Sequence, residues 1–352
     1  MILDNPLIIR ADASHRIGTG HVMRCLSLAQ SWQRTGGKAV FAMAETTPAL
    51  EQRLQNGNLP AYRIAAKPGS SEDAGETINL AKQNAADWVV ADGYHFTSEY
   101  QRAIKEAGLR LLLIDDYGHA EHYFADLILN QNLSANAETY RNRETYTRLL
   151  LGTQYVLLRE QFLAYRDWKR EIPAVARKVL VTLGGADPDN VTAKIITALQ
   201  GLDIETIIVV GGSNHHFSSL SSSVRPPSLV IRDISNMPEL MAWADVAIAA
   251  GGTTSWELAF MGLPSLVIVL ADNQIEIAAA LQKETVVVNL GWHQTVAVSA
   301  ITQAVYKFQA DHACRAQASR HGRQLVDGLG VGRVVQHLVK CELVPAGAEV
   351  PI

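Results

Sequence analysis

The sequence lacks the features that mark several whole classes of protein. Its 352 residues contain three cysteines, Cys25, Cys314 and Cys341, whose wide spacing matches neither a disulfide framework nor a metal-binding pattern. No apolar run reaches the ~18 residues that suggest a membrane span. The N-terminal stretch MILDNPLIIR has no basic start followed by a long apolar core, so no signal peptide is expected. We therefore expect a protein of the reducing cytoplasm, without membrane insertion.

An excess of charge of one sign is also missing. The formal net charge is −4 at pH 7, from 31 Lys and Arg against 35 Asp and Glu. No run of Lys and Arg is long enough to suggest a nucleic-acid surface. The expected partner is a small molecule, with no nucleic acid and no obligatory protein partner.

Three common catalytic motifs do not occur. The sequence has no GxxxxGK[ST] phosphate loop, no GxGxxG dinucleotide fingerprint and no GxSxG nucleophile elbow. His119 and His122, near Asp115 and Asp116, are residue types that bind metals. They lie in a loop-like stretch without helical periodicity, and no second cluster completes a ligand set. We expect no metal and no cofactor.

The sequence does contain a regular alternation of short apolar runs and longer helical patterns. The run LIIRA precedes an amphipathic helix predicted at His21–Arg34, and the alternation starts again at RKVLVTLGG. This order predicts an α/β fold with parallel sheets covered on both faces. Single cores rarely exceed ~250–300 residues. We therefore predict two Rossmann-type domains facing a central cleft, over residues 1–155 and 176–352, joined by a linker over 156–175.

Polar and glycine-rich clusters follow the predicted strands. They are Arg10–His21, Asp92–His95, Asp115–Tyr117, Gly184–Asn190, Gly211–His216 and Gly251–Glu257. Ligands of open α/β sheets bind outside the carboxyl ends of the strands. We therefore expect these loops to face a common site.

Two of these clusters open helices, and each has two interpretations. Gly18-Thr19-Gly20-His21 is either a plain strand–turn–helix connection or a place where the backbone approaches a ligand and presents free N–H groups to it. In Gly251–Glu257, the carboxylate of Glu257 serves either as a capping-box partner or as an acceptor for a vicinal diol such as ribose. Asn273 is either a turn former or a ligand contact.

Taken together, these segments resemble a known family, the UDP-2,4-diacetamido-2,4,6-trideoxy-β-L-altropyranose hydrolases of pseudaminic acid biosynthesis (the PseG family). The match spans nearly the whole chain in motif order. The segments that carry it are RADASHRIGTGHVMRCLSLA, IDDYG, ADLILNQN, LLGTQYVLLREQF, VTLGGADPDN and AAGGTTSWELAFMGLPSLVIVLADNQ. The last is shared more widely with UDP-sugar glycosyltransferases of the two-domain GT-B fold, so it indicates a UDP-sugar ligand and not a particular reaction.

The resemblance implies hydrolysis of the bond between the sugar C1 and the diphosphate, with inversion at C1. It implies that His21 is the general base for water and that the second domain holds UDP, with Glu257 on the ribose. The remaining residues that it places at the substrate are Arg10, Asp12, Gly18, Gly20, Tyr94, Asp116, Gly185, Gly252, Thr253, Thr254 and Asn273. Two alternatives stay open: a glycosyltransferase that passes the sugar to an acceptor alcohol, and a non-catalytic protein that binds a sugar nucleotide.

Overall fold

Two parallel β-sheets form the framework of the protein. They are seen in a computed structural model, which describes residues 6–14, 17–185, 187–212, 214–232, 234 and 236–342. Contacts divide the chain into two compact units. The first unit comprises Met1–Ala13, His21–Glu160 and Leu329–Ile352, and the second comprises Ser14–Gly20 and Gln161–Gly328.

The first unit contains a seven-stranded sheet in the order β3-β2-β1-β4-β5-β6-β7. Its strands are β1 (Pro6–Ala11), β2 (Lys38–Met43), β3 (Ala61–Arg63), β4 (Trp88–Asp92), β5 (Arg110–Ile114), β6 (Leu127–Asn130) and β7 (Arg148–Leu151). Its helices are α1 (Gly20–Arg34), α2 (Pro48–Asn56), α3 (Ser71–Gln83), α4 (Ser98–Glu106) and, from the end of the chain, α12 (Gly330–Glu342).

The second unit contains a six-stranded sheet in the order β10-β9-β8-β11-β12-β13. Its strands are β8 (Lys178–Thr182), β9 (Glu205–Val210), β10 (Leu229–Arg232), β11 (Val246–Ala250), β12 (Ser265–Val269) and β13 (Val287–Trp292). Its helices are α5 (Val191–Leu199), α6 (Phe217–Ser223), α7 (Met237–Trp243), α8 (Thr254–Phe260), α9 (Ile275–Lys283), α10 (Val298–Ala310) and α11 (His312–Leu325). Short 3₁₀ turns occur at Glu138–Tyr140, Thr153–Tyr155, Glu160–Tyr165 and Asp272–Gln274.

The central strands are buried on both faces, which explains their continuous apolar sequences. All residues of β4, β6, β11 and β12 are buried. Successive side chains of a strand point to opposite faces. Accordingly, Leu7 and Ile9 pack into one core layer of the first sheet, and Ile8 packs into the other. The predicted α/β class with parallel sheets is confirmed.

The order of the strands reverses once in each sheet. In the first sheet the reversal lies between β1 and β4, and in the second it lies between β8 and β11. At such a switch point the loops that follow the two strands run in opposite directions and leave a crevice, where α/β proteins bind ligands. A ligand site is therefore expected at the loops after β1 and β4 in the first sheet, and at the loops after β8 and β11 in the second sheet.

The division of the chain differs from the predicted boundaries at the C-terminal end. Helix α12 lies within the range 176–352 predicted for the second domain, yet it belongs to the first unit. The physical reason is burial, because Val331, Val334, Val335 and Leu338 pack into the same core as Leu7. The position of the two units about a central cleft stays a prediction. Within the described residues, no helix combines the length and apolar character needed to cross a membrane.

Candidate active site

Polar side chains collect at the carboxyl edge of the first sheet, on four neighbouring strands. Asp12 follows β1, Asp92 ends β4, Asp116 follows β5 and Asn130 ends β6. Asp92 and Asn130 are almost fully buried. Within the first unit these strand ends are neighbours, and the expectation that all the loops face a common site stays a prediction.

His21, the predicted base, is the second residue of α1 and forms a hydrogen-bonded pair with Asp92. The distance from His21 Nδ1 to Asp92 Oδ1 is 2.6 Å, and the His21 side chain is 13% exposed. A nitrogen and a carboxylate oxygen approach this closely only with a proton between them, so Nδ1 carries the hydrogen. In the neutral imidazole the free lone pair is then on Nε2.

Arg24, one helical turn after His21, joins two buried carboxylates. Its Nε and Nη2 donate to the two oxygens of Asp92 at 2.6 and 2.7 Å. Its Nη1 and Nη2 donate to the oxygens of Asp116 at 2.8 and 3.1 Å. Bidentate guanidinium–carboxylate pairs are among the strongest and most directional hydrogen bonds in proteins. Arg24 therefore fixes the positions of both aspartates.

The electrostatics of this cluster keep both aspartates ionised. Burial by itself would raise the pKa of Asp92, but the charges of Arg24 and His21 lower it well below its usual value. Burial and Arg24 oppose each other in the same way at Asp116, whose pKa is also lowered. One cation and two anions leave one negative charge beside His21, which offsets the positive charge that the imidazole gains when it accepts a proton.

Tyr94 and Asn132 also contact Asp116. The Tyr94 hydroxyl donates to Asp116 Oδ2 at 2.8 Å, and its ring meets the His21 ring edge-on with centroids 5.1 Å apart. Asn132 Nδ2 lies 3.2 Å from Asp116 Oδ1. The structure thus brings three of the predicted residues, His21, Tyr94 and Asp116, into one network.

Arg10 and Asp12 have roles that differ from each other. The resemblance placed both at the substrate, but Arg10 is fully buried. Its Nε and Nη2 both donate to Asp73 at 2.8 Å, and its Nη1 lies 2.7 Å from Asp12 Oδ1. The nitrogens of Arg10 are engaged inside the protein, where it positions Asp12, and its expected contact with the substrate stays a prediction.

The cluster around Asp115 is structural. Asp115 Oδ1 accepts hydrogen bonds from the backbone N–H groups of Tyr117 and Gly118, both at 2.9 Å. His119 Nδ1 lies 3.2 Å from Asp115, whereas His122 pairs with a different carboxylate, Glu144, at 3.0 Å. Among the described residues, no group of three or more His, Cys, Asp or Glu side chains has the arrangement of a metal site.

In the second unit, the loops after β8 and β11 carry the remaining predicted residues. Gly184 and Gly185 follow β8, and Gly184 has a φ of +93°, a conformation that glycine adopts without strain. Gly251 and Gly252 follow β11 and lead into α8 through Thr253 and Thr254. Gly18 and Gly20 belong to this same unit.

Glu257 lies in the first turn of α8 and is 8% exposed. Thr253 occupies the N-cap position, and no hydrogen bond from its side chain to the helix is present in the described structure. Glu257 is therefore a buried carboxylate beside a glycine-rich helix start at the second switch point. The structure leaves both interpretations of Glu257 open.

Two further residues of these loops are structural supports. Asp187 caps α5, with its carboxylate accepting from Val191 N at 2.8 Å and from Thr192 N at 2.9 Å. Gln274 Oε1 accepts from Gly251 N at 3.2 Å and fixes the turn before α8. Its neighbour Asn273, predicted at the substrate, is exposed.

Sequence reasoning missed Arg24 as a member of the site, and it placed Asp92 in a loop expected at the site without assigning it a role. A usable signal was present for both residues. Asp92 ends an apolar run, and Arg24 stands three positions after His21, which places the two on one helix face. The pairing itself joins residues 68 positions apart, which no local pattern reveals.

Comparisons with known proteins agree with these two units. Residues 179–326 match the model of the glycosyltransferase family 28 C-terminal domain. The solved structure of MurG from Acinetobacter baumannii is similar to this protein, with a TM-score of 0.65 and 16% identity. The similarity covers 96% of this chain and 100% of the MurG chain. This likeness establishes the fold: two Rossmann-like units, as in GT-B glycosyltransferases.

Curated relatives are distant but extend over much of the chain. The uncharacterised protein MJ1062 of Methanocaldococcus jannaschii is 23% identical over 281 residues. The match covers 77% of this chain and 56% of that protein, so this chain spans little more than half the length of that relative. Spore coat polysaccharide biosynthesis protein SpsG of Bacillus subtilis is 23% identical over 333 residues, covering 93% and 95%.

A third relative carries the name that the sequence motifs suggested. UDP-2,4-diacetamido-2,4,6-trideoxy-β-L-altropyranose hydrolase of Campylobacter jejuni is 26% identical over 286 residues, covering 79% of this chain and 96% of that protein. The predicted resemblance is confirmed as a resemblance to a protein of this name.

The contacts of Arg24 predict a large and pH-dependent contribution to stability. Arg24→Leu leaves two buried carboxylates without their cation, which costs about 3–5 kcal/mol. Because the pKa values of Asp92 and Asp116 are lowered in the folded state, their contribution to stability is fully present above the unfolded pKa of ~3.9 and is lost as the pH falls from there through the lower pKa values of the folded state. The deficit of the variant should therefore shrink in acid. Urea denaturation at pH values above and below ~3.9 measures the difference in the free energy of unfolding between the variant and the wild type.

Arg34→Leu is the matched control on the same helix. Arg34 pairs with Glu160, and both side chains are about half exposed, at 46% and 48%. An exposed pair contributes about 0–1 kcal/mol. Equal stability losses in the two variants would contradict the assigned role of Arg24.

Proposed function

We propose that this protein is a nucleotide-sugar hydrolase that releases UDP from UDP-2,4-diacetamido-2,4,6-trideoxy-β-L-altropyranose with inversion at C1. The observation that carries the proposal is the 2.6 Å hydrogen bond between His21 and Asp92 at the switch point of the first sheet. The name of the Campylobacter jejuni relative supports the choice of substrate.

His21 serves as the general base in this proposal. Its Nε2 lone pair accepts a proton from a water molecule as the water oxygen forms a bond to C1. The hydrogen bond to Asp92 holds the imidazole in the tautomer that has this lone pair and stabilises the imidazolium that forms. Attack by water on the face opposite the diphosphate gives inversion.

The leaving group needs no protonated carboxylic acid. The C1–O bond breaks with its electron pair moving to the diphosphate oxygen, and UDP departs as an anion, unlike the alkoxide in ordinary glycoside hydrolysis. We place UDP at the second switch point, where the glycines after β8 and β11 let the backbone approach the phosphates. Glu257 would accept hydrogen bonds from the ribose hydroxyls.

A glycosyltransferase is the second candidate function. The match of residues 179–326 to a glycosyltransferase domain and the fold shared with MurG favour it. The two candidates use the same base and the same leaving group, and they differ in whether the attacking hydroxyl belongs to water or to an acceptor alcohol. A non-catalytic protein that only binds a sugar nucleotide would need neither the base nor the carboxylate that orients it, so the pairing of His21 with Asp92 argues against this alternative.

The first prediction about function separates the hydrolase from the glycosyltransferase and also tests whether the reaction is independent of metal ions. With the UDP-sugar alone, in buffer containing EDTA, the protein should release UDP, because water is the nucleophile and backbone N–H groups replace a cation at the diphosphate. A coupled assay for UDP measures this. Release only with an added acceptor would select the transferase, and release only after Mg²⁺ is restored would overturn the metal-independent mechanism.

The second prediction concerns the base. His21→Ala should lower kcat by ~10²–10⁴, the usual contribution of general base catalysis, while the affinity for UDP stays unchanged. Steady-state kinetics and calorimetric titration of UDP measure the two effects. His122→Ala is the control, since His122 pairs with Glu144 outside the network. Near-normal turnover by folded His21→Ala would remove His21 from the mechanism.

The third prediction decides between the two roles of Glu257. If Glu257 accepts from ribose, Glu257→Ala should weaken UDP binding by roughly 1.5–3 kcal/mol, the range for hydrogen bonds to charged groups. Calorimetric titration measures it, beside a melting curve. Glu276→Ala is the control, because Glu276 is exposed in the first turn of α9. Unchanged UDP affinity with a lowered melting temperature would assign Glu257 to helix capping alone.

A further inference from the structure

A second histidine of the first unit lies between the two loops that carry Tyr94 and Asp116. His119 follows β5, and its side chain is 6% exposed. Its Nε2 lies 3.3 Å from the carbonyl oxygen of Phe96, in the loop after β4. Its Nδ1 lies 3.2 Å from Asp115 Oδ2, in the loop after β5, and makes no hydrogen bond among the described residues, so this contact is one of charge. The ring thus links the two loops.

Both ring nitrogens of His119 face an acceptor oxygen, and this arrangement selects the protonated form. A neutral imidazole has a hydrogen on one nitrogen and a lone pair on the other. Whichever nitrogen had the lone pair, it would lie 3.2 or 3.3 Å from an oxygen that also offers only lone pairs. In the imidazolium both nitrogens carry a hydrogen, so both contacts are attractive. The link between the loops is therefore complete only when His119 is charged.

The charged and polar groups around the ring favour this protonated form. Burial by itself would lower the pKa of His119, but the carboxylate of Asp115 and the carbonyl oxygen of Phe96 raise it above its usual value. The charge of Asp116 raises it further. Burial would raise the pKa of Asp115, but its contacts with His119 and with the Tyr123 hydroxyl, 2.6 Å away, lower it to about 2. The folded structure therefore stabilises a charged pair.

The other groups that face His119 are aromatic. The rings of Tyr94 and Tyr117 each meet the His119 ring with centroids 6.1 Å apart. The pKa values of Tyr117 and Tyr123 are raised by burial and by Asp115, so both hydroxyls stay neutral while His119 titrates. As the pH rises from neutral, the proton lost among these groups is therefore that of His119.

The loops that His119 links also hold the surroundings of the proposed base. Tyr94 stands two positions before Phe96, donates to Asp116 and meets the His21 ring edge-on. A change in the separation of the loops would shift Tyr94 relative to both of these partners. We propose that His119, as the imidazolium, is a positioning residue that holds Tyr94 in place against His21. When His119 loses its proton to solvent, the link between the loops weakens.

The effect on turnover rests on the proposed function. A general base makes kcat rise with pH, because the base must lose its own proton before it can accept one from water. Loss of the proton from His119 acts in the opposite sense, since it removes the link that positions Tyr94. We therefore expect kcat to fall as the pH rises through the raised pKa of His119.

His119→Gln, whose amide cannot become charged, tests the link without any substrate. Because the pKa of His119 is raised in the folded state, its contribution to stability is fully present below the unfolded pKa of ~6.5 and is lost as the pH rises through the folded pKa. The variant should therefore be less stable than the wild type in weak acid, and the deficit should shrink as the pH rises. Urea denaturation on both sides of pH ~6.5 measures the difference in the free energy of unfolding.

His122→Gln is the matched control in the same loop. His122 also pairs with a carboxylate, that of Glu144, but its side chain is 39% exposed. An exposed pair contributes little to stability, so this variant should show no comparable dependence on pH. In the wild type itself, the NMR signal of the His119 ring should titrate above pH ~6.5. Titration below that value would overturn the proposal even if His119→Gln failed to fold.

The kinetic test uses His119→Gln as well. In weak acid its kcat should be about 3- to 10-fold below that of the wild type, the range for one lost hydrogen-bond contact, with an unchanged affinity for UDP. The factor should shrink as the pH rises, because the wild type then loses the link too. The same factor at every pH would show a purely structural role and would overturn the proposal, as would a kcat equal to that of the wild type.

A double-mutant cycle with Tyr94→Phe tests whether the effect passes through Tyr94. Tyr94→Phe keeps the ring but removes the hydroxyl that donates to Asp116. His119→Gln should then cause little further loss of kcat, because the contact that it protects is already absent. Equal losses from His119→Gln with and without the Tyr94 hydroxyl would overturn the positioning role.

The measurements without substrate keep this proposal separate from the proposed function. If the wild type binds the UDP-sugar without releasing UDP, hydrolysis is wrong. The pH dependence of the stability deficit then decides whether His119 links the loops, and the cycle with Tyr94→Phe is measured in the free energy of unfolding. A deficit that does not change with pH would overturn the link even if hydrolysis were confirmed.

Discussion

The bridge that Arg24 makes between Asp92 and Asp116 is the interaction on which the candidate site depends. Without this cation, two carboxylates buried at neighbouring strand ends would repel each other and one would take up a proton. With it, both stay ionised and fixed, and Asp92 keeps an oxygen for His21. The orientation of the proposed base is thus a consequence of a buried ion cluster formed by three secondary-structure elements.

The parallel arrangement of the strands explains why such a cluster forms at all. All carboxyl ends lie at one edge, so one or two polar residues after each apolar run meet there. Asp12, Asp92 and Asp116 come from three adjacent strands in this way. In our proposed function, His21 is held by Asp92 and accepts the proton from the attacking water.

Much of the fold was predictable because buried parallel strands are continuous apolar runs. In the second half, the apolar runs of RKVLVTLGG, ETIIVVGG, SLVIRD, ADVAIAAGG and PSLVIVL, each a candidate strand by its sequence, form β8 to β12. The helix predicted at His21–Arg34 begins one residue earlier, at Gly20. Strands β3, β7 and β13 were missed: β3 has three residues, all exposed, and β13 is only partly buried, so neither has the apolar pattern of a central strand. Helix α12 lies in the first unit because its apolar residues pack into the core around Leu7, and no local pattern shows a contact between residues so far apart in the chain.

The sequence by itself determined the class of fold, the glycine-rich turns and His21 as a candidate base, since each of these depends on residues close together in the chain. Tertiary structure alone decided which side chain orients His21, that Arg10 is buried against Asp73, and that Asp12 faces His95. The physical reason is the order of strands in the sheet. Residues 60 to 90 positions apart become neighbours only when β1 pairs with β4 and β4 with β5, and no local periodicity encodes that order.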